Sequence, residues 1–148
     1  MFKKLMTTSN DVLPLILRLT LGIVMFPHGA QKLLGWWGGY GWTGTMGFFG
    51  KVGIPAAFGA LAIIAEFFGA LGLVTGLFTR VAAFGIACNI AVAALMVHRP
   101  NGFFMNWTGQ QKGEGFEYHL LTLGIALALM VAGGGRWSAD RAVTANRA

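Results

Sequence analysis

Seven ionisable side chains stand where this apolar chain has least reason to carry them: Arg18, His28, Lys32, Glu66, His98, Glu117 and His119. Arg18, His28 and Lys32 share the hydrophobic stretch from Leu13 to Leu34. At roughly 100° per residue they fall within a sector of about 80°, so one helix face is polar. A charge inside a bilayer costs at least about 2–3 kcal/mol unless it finds a partner or water. Arg18 stands ~9 Å above one end of its stretch, and Glu66 roughly 14 Å above the same face of a ~30 Å hydrocarbon core. These depths predict a buried Arg18–Glu66 ion pair.

The other groups gather at the opposite boundary. His28 and Lys32 lie near the far end of the first stretch, His98 closes the third, and Glu117 and His119 open the fourth. With Glu66 deeper, His28, Lys32, His98 and Glu117 are the candidate hydrogen-bonding and proton-carrying groups of a site. His28, His98, His119 and Glu117 are also candidate metal ligands, since imidazole and carboxylate suit zinc, iron or copper. Their spacing matches no familiar local motif. The plainer alternatives are interfacial histidines, a snorkelling Lys32, and a Glu117 favoured by the start of its helix.

The elements that must position these groups are helices. Of 148 residues, 55% are hydrophobic and only 11% charged, against about 25% in soluble proteins. The apolar residues come in four long runs rather than at the period of surface helices or strands. They predict an all-α fold, an integral membrane four-helix bundle with spans at about 13–34, 55–78, 81–98 and 118–135 in one domain covering 1–148. Two aromatic loops follow the first and third runs: Trp36, Trp37 and Trp42 in one, and Phe103, Phe104 and Trp107 in the other, with Tyr118 just beyond. Such rings favour a membrane–water boundary. Thr43 to Lys51 reads as a short interfacial or re-entrant helix ending at Gly53-Ile54-Pro55. Asn10 and Asp11 read as caps of the first helix, and Thr79-Arg80 as a tight turn. Small residues from Gly59 to Gly76 allow close backbone approach.

Charge and cysteine usage exclude several classes. The net charge of +6 sits at the flanks of the apolar runs rather than in a stripe, which argues against nucleic acid. Cys88 is the lone cysteine, so an intramolecular disulfide and a dithiol relay are ruled out. The amino terminus resembles a signal peptide, but Arg18 interrupts its apolar core and no small-x-small site follows, so an uncleaved first span is expected. Lys3, Lys4, Arg80, Arg136, Arg141 and Arg147 fall on one side, and Lys51, Arg99 and Lys112 on the other. The richer side predicts cytoplasmic termini and outward-facing aromatic loops. Geometry also sets limits. Asn89 and His98 lie on opposite sides of a regular helix, and Glu117 and His119 are about 200° apart, so one of the latter pair faces away.

As a set, these segments resemble the DoxX-type membrane proteins. The resemblance is carried by Arg18-Leu-Thr-Leu-Gly, His28-Gly-Ala-Gln-Lys32, Gly53-Ile-Pro55, Ala65-Glu66-Phe-Phe-Gly69 and Gly76-Leu-Phe-Thr-Arg80. His98 with Gly102-Phe-Phe, and Glu114-Gly-Phe-Glu-Tyr118, complete it. It covers Leu13 to Asp140 and implies a four-helix bacterial inner-membrane protein. Family members are linked with oxidoreductase systems, among them a thiosulfate:quinone oxidoreductase subunit and complexes handling thiol or oxidative stress, an analogy of fold rather than of chemistry. One reading is therefore a redox-linked subunit. In it the aromatic loops sandwich a quinone-type ring, His28, Lys32 or His98 bonds its oxygens, and Glu117 relays protons. With no flavin, nicotinamide or iron–sulfur motif in the sequence, a partner oxidoreductase would supply the electrons. The other readings are a non-enzymatic scaffold or small-molecule binder, and a His/Glu metal or haem site.

Overall fold

The computed structural model describes residues 5–145, so Lys3, Lys4 and Arg147 lie outside the described residues. Among those residues the fold is all-helical. Helix α1 spans Leu13–Leu34, α2 Gly41–Lys51, α3 Ala56–Thr75, α4 Thr79–Ala93, α5 Glu117–Ala132 and α6 Ala139–Ala145. A π-turn over Ala94–His98 and a 3-10 turn over Arg99–Asn101 extend α4. The four longer helices form a closed ring in which α1 packs on α3, α3 on α4, α4 on α5, and α5 back on α1. Helix α2 lies against α1 and α3.

The chain reverses where glycine permits it. Three turns share one pattern, a left-handed glycine, one residue, then a left-handed aromatic: Gly35-Trp36-Trp37, Gly76-Leu77-Phe78 and Gly135-Arg136-Trp137. The glycine φ values are 74°, 70° and 67°, and the aromatic ones 49°, 48° and 55°. Gly76 stops α3 at Thr75, short of the expected end near residue 78, and Gly133 (φ 77°) stops α5 at Ala132 rather than near 135. Thr79 and Arg80 prove to be the first turn of α4 rather than a turn between helices. Helix α1 takes Pro14 in its first turn and no side-chain cap, so Asn10 and Asp11 do not cap it.

The core is small and apolar: Leu21 and Met25 of α1 meet Ala70 and Leu73 of α3, Ala83, Ile86 and Ile90 of α4, and Ala126 and Leu129 of α5. Glycine brings the backbones together. A Cβ on Gly29 would fall 2.6 Å from the Phe67 Cα, and one on Gly22 3.1 Å from the Ala70 carbonyl oxygen. Outside the core, Ile16, Ile23, Phe58, Leu61, Phe68, Phe84, Leu95, Leu121 and Val131 are all exposed. Three helical stretches, Leu13–Leu34, Ala56–Thr75 and Thr79–Asn101, are long and apolar enough to cross a membrane, and Glu117–Ala132 is a shorter apolar helix. A surface this apolar requires a lipid surround.

Candidate functional site

The buried charges resolve into two separate arrangements, at opposite ends of the bundle. At the end where α3 and α5 stop, Arg18 is 2% exposed. It donates Nε to the Gly134 carbonyl (3.0 Å), Nη1 to those of Leu73 (3.0 Å) and Val74 (2.6 Å), and Nη2 to that of Trp137 (2.9 Å). The last carbonyls of α3 have no partner within their own helix, and a guanidinium supplies five donors at the negative end of its dipole. Asp140, 1% exposed, accepts from the Phe78 (2.6 Å) and Thr79 (2.9 Å) amides that open α4. Arg80 caps α5, donating to the carbonyls of Met130 (3.0 Å) and Val131 (2.9 Å), and also to that of Thr7.

The expected Arg18–Glu66 ion pair is therefore absent. Glu66, 3% exposed, accepts Lys32 Nζ at 2.7 Å on Oε1 and Asn89 Nδ2 at 3.0 Å on Oε2. One carboxylate thus ties α1, α3 and α4 together. Depth alone does not decide the pairing, because carbonyls at a helix end satisfy an arginine as well as a carboxylate does, and Lys32 reaches inward rather than to the headgroups.

Near the loop end stand the imidazoles. His98 and His119 pack with ring centroids 4.1 Å apart, and the Tyr118 ring lies 6.4 Å from that of His28. His28 is within Coulombic reach of Lys32 and Glu66, and His119 of His98 and His28. His98 faces this cluster although Asn89 faces Glu66, which a regular helix forbids. The π-turn between them resolves the conflict, since one residue inserted without an extra turn rotates all that follows by about 100°. His98 Nδ1 lies 2.9 Å from the Glu114 carbonyl oxygen. His119 is 6% exposed, and its Nδ1 is buried with no hydrogen-bond partner. The Tyr118 hydroxyl donates to Met25 Sδ at 3.6 Å, a weak acceptor.

Glu117 does not join the imidazoles. Its Oε1 accepts the Met105 amide (3.0 Å) and Trp107 Nε1 (3.2 Å), while Glu114 Oε2 accepts the Asn106 amide (2.6 Å). The two carboxylates fold the segment from Gly102 to Phe116 back on itself, helped by Glu117 N bonding the Phe103 carbonyl at 2.9 Å. Gly115 is pinched there, its absent Cβ 2.4 Å from the Phe104 carbonyl oxygen. So Glu117 secures the loop rather than lying in line for a proton relay beside the imidazoles. Among the described residues, no three His, Cys, Asp or Glu side chains come close enough to hold a metal ion, so His28, His98, His119 and Glu117 do not form one ligand set.

The aromatic loops also differ from expectation. Trp37 contacts Phe26 and Trp36, and Phe103 contacts Phe104 and Phe116, but among the described residues no ring contact joins the two loops. Trp36, Trp37, Trp42, Phe104 and Trp107 are exposed, Trp107 to 85%. They form a rim rather than a sandwich. A groove of about 590 Å³ runs between α3 and α4, lined by Ile64, Phe68, Leu71, Phe78, Val81 and Phe84, and none of the ionisable groups lines it. Sequence reasoning missed Asn89 as a partner of Glu66, Asp140 as a cap and Glu114 as a loop anchor. Of these, only Asp140 left a signal, an acid beside Ser138 at a helix start.

A ring of apolar helices with a charge network in its interior and exposed aromatics at its ends defines a helical membrane protein. The family model for DoxX matches residues 13–99, and the chain belongs to the DoxX family. It is 31% identical over 124 residues to "Putative oxidoreductase CatD" of Bacillus subtilis (strain 168), across 84% of this chain and 83% of that one. No solved structure matches the chain.

Proposed function

We propose that this chain is a multi-pass inner-membrane subunit of a redox system, with both termini cytoplasmic, that binds a quinone-type ring among His28, His98, Tyr118 and His119. The observation that carries this reading is the bare Nδ1 of His119. A buried polar nitrogen without a partner costs about 1–3 kcal/mol, and natural cores rarely keep one without a use. Packed against a second imidazole at 4.1 Å and against the Tyr118 ring at 5.5 Å, it is suited to a small, flat molecule carrying ring oxygens. The redox part rests on the family and on the name of the Bacillus relative. A quinone exchanges electrons and protons together, so a partner oxidoreductase supplies or takes the electrons. The imidazoles hold the proton beside the ring oxygen, and the Lys32–Glu66–Asn89 network keeps α1, α3 and α4 in register beneath them.

A second reading, a scaffold that docks partner proteins through its loops, is favoured by the exposure of Tyr40 and Trp107, each 85%. One experiment separates the two. The protein in nanodiscs is titrated with a one-isoprene ubiquinone and its quinol, alongside His119→Leu. The redox reading predicts saturable binding that His119→Leu weakens about tenfold or more, the worth of one or two hydrogen bonds. No binding of either form, or binding untouched by the substitution, favours the scaffold.

A further inference from the structure

We infer that the imidazole pair selects the hydroxylated, reduced form of its ring ligand over the oxidised one; this rests on the quinone-type reading above. One proton of the pair has its position fixed by geometry. His98 Nδ1 is 2.9 Å from the Glu114 carbonyl oxygen. A carbonyl can only accept, so the proton of that bond sits on Nδ1. The same carbonyl accepts Asn101 Nδ2 at 3.1 Å, and the Glu114 carboxylate is held by the Asn106 amide, so neither the acceptor nor the loop carrying it is free to turn.

A neutral imidazole with its proton on Nδ1 presents a lone pair on Nε2. Among the described residues, His98 Nε2 has no hydrogen-bond partner. The site thus offers a fixed acceptor. An acceptor meets an O–H and repels a bare carbonyl oxygen, so a ring hydroxyl of a quinol or phenol fits where the carbonyl of a quinone leaves two lone pairs opposed. His98 is therefore the specificity-determining residue of the proposed site.

The full chain in nanodiscs is titrated with three probes: a one-isoprene ubiquinol, the matching quinone, and the quinol dimethyl ether. The expected order is the quinol about tenfold tighter than either of the others, the factor one hydrogen bond commands. His98→Asn keeps a donor toward the Glu114 carbonyl and withdraws the acceptor from the position of Nε2, which the shorter side chain does not reach, so the preference should fall below about threefold while overall binding persists. Imidazole ¹⁵N spectra of the unsubstituted protein report the tautomer without any variant, and Nδ1–H at His98 is the expected state. Equal binding of quinol and quinone, or an Nε2–H tautomer, overturns this inference and leaves the quinone-type reading standing. Failure of all three probes to bind overturns both.

Discussion

Single residues in this protein carry unequal burdens, and the clearest case is a nitrogen with nothing to bond. His119 offers its helix little but a buried imidazole, so His119→Leu should raise stability by about 1 kcal/mol while weakening ligand binding. Thermal unfolding in detergent, read beside a binding titration, checks both halves. Glu66 behaves in the opposite sense. Lys32→Met strands a carboxylate that is 3% exposed, at a cost of about 3 kcal/mol, near the lower end for buried pairs because Lys32 itself is 33% exposed. The double variant Lys32→Met/Glu66→Leu should recover most of that loss, and melting curves of the three proteins decide the point. That these residues mattered was legible in the sequence, because a charge among leucines demands a partner. Which partner each takes was not. Arg18 faced a choice between a carboxylate and a row of helix-end carbonyls, and only the packed bundle shows that the carbonyls are nearer.

Between helices, close approaches and end caps hold the bundle together. Gly29→Ala would drive a Cβ to 2.6 Å from the Phe67 Cα, and since that obstacle is backbone the helices must part, at about 2–3 kcal/mol. Gly124 sits in α5 with open space around its would-be Cβ, so Gly124→Ala should instead stabilise by about 0.5–1 kcal/mol. Comparing the two unfolding midpoints separates packing from helix propensity. Asp140→Ala leaves two amides at the start of α4 bare and should cost about 2 kcal/mol, with Asp140→Asn losing less, again by thermal unfolding. The helices themselves were readable from apolar runs bounded by glycine and proline. The π-turn at Ala94–His98 was not, because nothing in Ala-Leu-Met-Val-His distinguishes a widened turn from a regular one. Its consequence is large, for it turns His98 toward the cluster. The folding of Gly102 to Phe116 was equally hidden, since it depends on two carboxylates finding amides eight and twelve residues away.

The whole molecule has one end sealed and one end open to chemistry. Arg18, Arg80 and Asp140 lock the helix ends at the sealed end: the guanidinium donors meet carbonyls and the amides that open α4 meet the Asp140 carboxylate, with the Thr79 hydroxyl left bare. The opposite end keeps unpaired imidazole nitrogens under a loop rimmed with exposed rings. If the basic, sealed end faces the cytoplasm, then in a Cys88→Ala background a membrane-impermeant maleimide added to intact cells labels Lys112→Cys and leaves Ala145→Cys untouched. Labelling of Ala145→Cys alone would invert the orientation. Whether the bare nitrogen of His119 exists for a ligand is read from the ¹⁵N resonance of that nitrogen in nanodiscs. Saturating one-isoprene ubiquinol or ubiquinone should move the His119 Nδ1 signal, with a smaller change at His98. A His119 signal unmoved at saturation by either form would mean that this nitrogen meets no such ligand.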